Sequence, residues 1–105
     1  MDAFILVEAR NKEEAYSVMQ ELKERVNIII DLKDISIIKE YWKIENRFEI
    51  HISINFKISQ LKDELKEIAK EWIYDKALSE YLATKTMNEQ NFVHDKITLF
   101  KVYTD

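Results

Sequence analysis

Two histidines are the residues of this chain that could act as a base or a ligand near neutral pH. His51 shares its strand parity with Glu49 and Ser53, so these three side chains are expected on one face of a strand. His94 is followed directly by Asp95. Adjacent strand residues point to opposite faces, so that pair is not a ready-made base with its orienting carboxylate. The alternative for His51 is an ordinary solvated strand residue without a functional role.

Other catalytic machinery has little support in the sequence. The chain contains no cysteine, no glycine and no proline. This removes thiol chemistry, thiolate metal sites and the phosphate-binding loops, dinucleotide fingerprints and nucleophile elbows that depend on glycine. Two separated histidines with common carboxylates also fall short of the roughly three or four ligands of a zinc site. We therefore predict no catalytic residue, no metal and no cofactor.

A protein-binding surface is better supported, because the chain is rich in aromatic residues. Two tryptophans, five tyrosines and five phenylalanines exceed what one side of a small sheet readily buries, and aromatic side chains are enriched in interface cores. The alternative is a core that is simply rich in aromatic residues. The side chains preferred for binding are those of Tyr41, Trp42, Glu49, His51 and Asn55.

Three of these side chains, those of Glu49, His51 and Asn55, lie in segment 47–58, which alternates polar and apolar residues without interruption. Such alternation predicts a strand with one buried side and one solvent-facing side. The side expected to be buried carries Phe48, Ile50, Ile52, Ile54, Phe56 and Ile58. The side expected to face solvent carries Arg47, Glu49, His51, Ser53, Asn55 and Lys57. Because a parallel sheet covered on both faces would read as a continuous apolar run, we expect a sheet with one open face.

The part of the chain before this segment predicts a strand followed by a helix. Residues 3–9 are mostly apolar and predict a central first strand. Asn11 is a preferred helix N-cap, and Glu14 lies three positions later, as in a capping box. The helix that begins there is expected to end near residues 31–34.

The remaining elements follow from the same kind of pattern. Residues 35–45 predict a second strand with apolar side chains on both faces. A turn at Asn46, in the place usually taken by glycine, joins it to the third strand. Ser59 is expected to cap a second helix that runs to about Lys85, and residues 92–103 predict the last strand.

The resulting order is β-α-β-β-α-β within a single domain that spans residues 1–105. Right-handed crossovers then give a four-stranded antiparallel sheet with both helices on one face. The first and third strands are expected at the centre and the other two at the edges. This is the ferredoxin-like α+β arrangement, and it places the polar side of segment 47–58 in the middle of the helix-free face.

Charge and hydrophobicity narrow the range of partners. The formal net charge of −4 argues against nucleic acid, whose phosphates need clustered Lys and Arg. The longest apolar runs are about four residues, whereas a membrane span needs about 20. A signal peptide would need a basic start before an apolar stretch, and none is present. We therefore expect a cytoplasmic protein that binds neither nucleic acid nor membrane.

In size, acidity and element order the chain resembles ferredoxin-like small bacterial proteins of two kinds. Immunity proteins neutralise a toxin by surface complementarity, and dimeric α/β-barrel proteins pair two sheets face to face around a cavity. The first resemblance implies a non-enzymatic module that binds a protein partner, or a second copy of itself as a homodimer, through the open face. The second implies an enzyme or small-ligand-binding domain with His51 in a cavity between sheets, and the sequence leaves both hypotheses open.

Overall fold

The structure, a computed structural model, describes residues 1–26 and 30–104 of the chain, without the side chain of Ile58. Within these residues, six strands form one antiparallel sheet: β1 (Asp2–Glu8), β2 (Ile35–Glu40), β3 (Arg47–Ser53), β4 (Ile73–Asp75), β5 (Glu80–Thr84) and β6 (Ile97–Tyr103). Two α-helices connect β1 to β2 and β3 to β4, namely α1 (Lys12–Arg25) and α2 (Leu61–Ile68). Short 3-10 helices span Leu32–Asp34, Ile58–Gln60 and Lys85–Met87. The strand order across the sheet is β2-β3-β1-β6-β5-β4.

The core lies between the two helices and one face of the sheet. β1 is hydrogen-bonded to β3 on one side and to β6 on the other, so its alternate side chains Ala3, Ile5 and Val7 are buried at the centre. The helices bury their apolar stripes in the same cluster. These stripes consist of Ala15, Val18, Met19 and Leu22 on α1, and of Leu61, Leu65 and Ile68 on α2.

Asn11 caps the first helix as predicted, but the capping box and the end of the helix differ from the prediction. The Glu14 carboxylate accepts a hydrogen bond of 2.9 Å from the backbone N–H of Arg10 instead of that of Asn11. The Asn11 side chain accepts a hydrogen bond of 2.9 Å from the backbone N–H of Glu14, which satisfies one of the free donors of the first turn. The helix was predicted to end near 31–34, but α1 ends at Arg25. The part of that prediction that concerns 27–29 lies outside the described residues.

The prediction of one helix from Ser59 to about Lys85 is wrong. The N-cap of α2 is Gln60, without a side-chain capping bond, and the helix stops at Ile68. The residues after it form the hairpin of β4 and β5. Tyr74 and Tyr81 lie opposite each other in that hairpin, as suits aromatic side chains on a pleated surface.

The indole of Trp72 is hydrogen-bonded to the chain at the end of α2. Its N–H donates to the backbone carbonyls of Leu65 and Ala69, at 2.8 and 3.0 Å. Leu65 lies in the last turn of α2, and its carbonyl also accepts from the backbone N–H of Ala69, at 3.1 Å, whereas Ala69 is the first residue after the helix. Ala69 itself is extended, with φ −148° and ψ 151°, so the helix ends there and Trp72 holds the chain that follows against its last turn.

The sheet therefore has six strands and not the predicted four. β1 and β3 lie inside the sheet, as predicted, and β2 lies at one edge. β6 was predicted at the other edge, but its outer side pairs with β5, and β4 forms that edge instead. The described chain is thus an α+β domain with two α-helices and a wider antiparallel sheet than expected.

The third strand is shorter than the alternation in the sequence suggested. β3 ends at Ser53, although Ile54 still exchanges backbone hydrogen bonds with Met1 at 2.8 and 2.9 Å. The N–H of Phe56 then bonds the carbonyl of Ile54, so the chain turns and the strand cannot continue. The apolar parity is confirmed, since five of its members are buried: Phe48, Ile50, Ile52, Ile54 and Phe56.

The outer strands also differ from the prediction. β2 ends at Glu40 instead of residue 45. A register shift between Ile35 and Ile37 breaks its alternation, so Ile35 and Ile38 both pack on the core while Ile37 is exposed. β6 begins at Ile97 instead of residue 92. In the described residues, neither helix has the length and apolar content of a membrane span.

Two turn residues generate a stability prediction. Asn46 (φ 56°) and Ser79 (φ 50°) both adopt the left-handed backbone region, which Asn tolerates better than Ser does. We expect Ser79→Gly to raise the free energy of unfolding by up to about 1 kcal/mol, because glycine has no Cβ to clash. Asn46→Gly should raise it less, or not at all. Urea denaturation measures both, and a larger gain for Asn46→Gly would contradict the argument.

Candidate functional site

The face of the sheet opposite the core is the candidate site. It carries the β1 side chains that alternate with the buried set, together with their neighbours across the sheet. We call this surface the open face. Its central residues are Phe4, Leu6, Ile37, Lys39, Tyr41, Glu49, His51, Leu82, Leu99 and Lys101. Both helices pack on the other side, so this face presents the sheet's own side chains.

A histidine and a carboxylate form the polar centre of the open face. Glu49 accepts a hydrogen bond of 2.7 Å from Nε2 of His51, and Nζ of Lys39 lies 3.8 Å from its other oxygen. Because an ionised carboxylate can only accept, Nε2 carries the hydrogen and the lone pair of neutral His51 is on Nδ1. That atom has no partner among the described residues. Glu49 is only 7% exposed, although the sequence predicted it on the solvent side.

Aromatic rings surround this polar pair. Phe4 lies opposite His51 in the register of β1 and β3, and the two ring centroids are 5.1 Å apart at 86°. Tyr41 follows β2 and places its ring edge-on to Phe4 at 6.5 Å. These rings form an apolar frame around a polar centre, in which Glu49 is hydrogen-bonded to His51 and paired with Lys39.

Trp42 extends this frame beyond the sheet. It lies in the β2–β3 turn, the segment 41–46, with its ring 6.5 Å from that of Tyr41. The side chain is 81% exposed. Nζ of Lys43 lies 5.0 Å from the indole centroid, within cation–π range. Ile44, in the same turn, is also exposed.

The structure brings together most of the residues predicted for binding. Tyr41, Glu49 and His51 lie on the open face, and Trp42 adjoins them. Asn55 is exposed but lies beyond the end of β3, after the strand has stopped, so it is not a neighbour of His51 in the sheet. Reasoning from the sequence missed Phe4, which only the pairing of β1 with β3 places against His51.

The second histidine has a different environment. His94 is 3% exposed, and its Nε2 lies 2.7 Å from a carboxylate oxygen of Glu21 on α1. Its Nδ1 accepts a hydrogen bond of 3.1 Å from the backbone N–H of Lys96. Both ring nitrogens are therefore occupied, and the ring ties the segment before β6 to α1. These contacts give His94 a structural role.

A cleft of about 850 Å³ lies beside His94 at the end of β1. Both of its arginines form ion pairs: Arg10 lies 3.1 Å from Glu14, and Arg47 lies 3.5 Å from Glu8. The hydrogen bond from Arg10 holds the pKa of Glu14 below its ordinary value. The lining contains five acidic and three basic residues, so the cleft has a net negative charge.

Metal binding and known relatives add nothing to this picture. Among residues 1–26 and 30–104, no group of three or more His, Asp or Glu side chains is placed to hold a metal ion. Comparisons with known proteins find no match to the chain among family models, curated proteins or solved structures. The functional argument therefore rests on the geometry of the open face.

The contrast between the two histidines can be measured. We expect His94→Ala to lower the free energy of unfolding by about 2 kcal/mol or more, because it removes two hydrogen bonds and leaves a buried gap. His51→Ala should cost less than about 1 kcal/mol, since its side chain is 35% exposed. Urea denaturation of both variants provides the comparison. An equal loss in the two would show that His51 is as structural as His94.

Proposed function

We propose that the chain is a non-enzymatic protein-interaction module that binds another protein through the open face and the β2–β3 turn. The observation that carries this proposal is the exposure of Trp42, 81%, beside the aromatic frame of Tyr41 and Phe4. Tryptophan and tyrosine are the side chains most enriched among interface hot spots. A tryptophan left in water at the end of a sheet face adds nothing to the core, so stability does not explain it.

The charges of the open face support the same proposal. Lys39 and His51 flank Glu49, and Arg47 lies 3.5 Å from Glu8. Interface cores are depleted in uncompensated charge, since an unpaired charge would lose its water on binding. At the centre of this surface Glu49 is already paired with Lys39 and His51, so a protein could cover these groups without leaving them unpaired. Lys101, also on the open face, forms no ion pair within 4 Å in the part of the chain that the structure describes.

The specific form that we propose is an immunity or inhibitor role, in which the chain masks the working surface of its partner. The net charge of −4 favours a basic partner, because opposite potentials speed the encounter. The strand order β2-β3-β1-β6 supports a ferredoxin-like core, to which β5 and β4 add a hairpin at one edge. In such a core both helices cover one face of the sheet, so the open face is the one that a partner could contact.

A substitution at Trp42 tests the proposal. The wild-type chain, immobilised as bait, is expected to retain a specific protein partner that Trp42→Ala loses. The affinity should fall by about 30-fold or more, the equivalent of about 2 kcal/mol at a hot spot. Isothermal titration with the purified partner measures it. The stability of the variant should be unchanged, because the side chain is almost fully in water.

The matched control is Leu78→Ala. Leu78 is also an exposed apolar side chain, at 63%, but it lies in the turn between β4 and β5, at the opposite end and edge of the sheet. This variant should bind like the wild type. A partner that Trp42→Ala retains fully, or a strictly monomeric chain that captures no partner, would refute the proposal. A dimer of the chain alone that depends on Trp42 would identify the partner as a second copy.

A second candidate function has one observation in its favour. His51 borders a hollow of about 450 Å³ at one end of the open face, together with Asp2, Ser36, Ser53 and Tyr103. Two copies paired face to face would enclose this hollow and the Nδ1 lone pair of His51, as in a dimeric α/β barrel that acts as an enzyme or binds a small ligand. Pockets of about 300 Å³ and more commonly hold small molecules.

The two candidates differ in their response to His51→Ala. In a metabolite screen by thermal shift, the second candidate predicts a compound that stabilises the wild type by at least about 2 °C, and much less the variant. Sedimentation should show dimers in the presence of that compound. A screen without hits, or hits that stabilise both proteins equally, would eliminate this function and leave the interaction module unaffected.

A further inference from the structure

A cleft on the helix side of the sheet has a different chemistry from the open face. It has a volume of about 360 Å³ and lies between α2 and the hairpin of β4 and β5. Three lysines line its rim and three apolar or aromatic side chains form its walls. These residues are Lys62, Lys66, Lys70, Leu65, Trp72 and Tyr81.

Two of the three lysines share one side of α2, and the third follows the end of the helix. Lys62 and Lys66 are four residues apart on α2, so they lie on the same side of the helix. Lys70 follows at the same interval, just after the helix ends. Like charges at this spacing weaken a helix slightly, although Lys66 also lies in the last turn of α2, where the helix dipole favours a cation.

These lysines also lack partners of their own. None of the three forms an ion pair within 4 Å in the part of the chain that the structure describes, whereas Lys39 and Lys85 do. The cleft has one acidic lining residue, Glu71. A chain with a net charge of −4 thus has a local excess of positive charge around an apolar hollow.

The aromatic walls are held in place before any ligand arrives. The Trp72 N–H is fixed by its bonds to the carbonyls of Leu65 and Ala69. The Trp72 ring stands edge-on to the buried ring of Phe100, with centroids 5.8 Å apart. On the other side, Tyr81 packs on Tyr74 at 4.6 Å. Such preorganisation lowers the entropic cost of binding a flat ligand.

We propose that this cleft binds a small molecule that has a flat ring and an anionic group, either a phosphate or a carboxylate. The ring packs on Trp72 and Tyr81, and the anionic group is held by the lysines at the rim. The volume falls within the range of small-molecule sites. The cleft lies on the helix side of the sheet, so this site is independent of the open face.

The test uses NMR titration of a Trp42→Phe chain, in which Trp72 supplies the single indole N–H signal. Adenosine monophosphate probes the phosphate arm and phenylacetate the carboxylate arm. We expect at least one of them to shift the Trp72 indole and the Leu65 amide saturably below about 10 mM. Adenosine has the ring without the charge, and inorganic phosphate has the charge without the ring. Each of them should bind at least about tenfold more weakly than the matching aromatic anion.

Two triple variants separate local charge from net charge. The cleft variant combines Lys62→Gln, Lys66→Gln and Lys70→Gln, and should weaken binding by about tenfold. The control removes the same charge elsewhere by combining Lys12→Gln, Lys23→Gln and Lys33→Gln, and should change binding by less than about threefold. Equal effects of the two variants, equal binding of adenosine or phosphate alone, or no saturable shift with either aromatic anion would each overturn the proposal.

Discussion

The pairing of β1 on both of its edges is the constraint on which the rest of the structure depends. Because β3 and β6 satisfy its backbone on either side, Ile5 and Val7 must lie at the centre of the core, and Phe4 must face the other way. The bonds between Met1 and Ile54 extend this pairing to the first residue. A slip by one residue would exchange the two faces, so the burial of the core also fixes the open face.

The sequence predicts this fold where the signals are local. The alternation in 47–58 correctly assigns Phe48, Ile50, Ile52, Ile54 and Phe56 to the core, although Glu49 on the other side is also buried. Asn11 caps α1, and Asn46 takes a left-handed turn without glycine. The prediction of the second helix is wrong beyond Ile68, because the apolar residues there are compatible with a strand as well as with a helix. Pairing with β6 favours the strand, since Tyr81 of β5 and Val102 of β6 lie opposite each other in the sheet. Because Val102 lies about twenty positions after Tyr81 in the sequence, the local pattern around Tyr81 does not reveal this pairing.

The same distinction applies to the candidate site. The shared parity of Glu49 and His51 places them together, as observed. Asn55 has the same parity, but the chain turns after Ser53, and the sequence carries neither glycine nor proline to mark that turn. Phe4 belongs to the site through the register between β1 and β3, which becomes readable only when the strand order is known.

The two sides of the sheet differ in how their charged side chains are paired. On the open face, Glu49 is nearly buried between Lys39 and His51. A partner that covers Glu49 would therefore not have to remove water from an unpaired charge there. Around the α2 cleft, Lys62 and Lys66 have no such partners in the described chain, although they repel each other. A surface adapted to a protein tends to neutralise its charges internally, whereas a site for a small anion keeps them available. This difference is the basis on which we propose two kinds of partner, one for each side of the sheet.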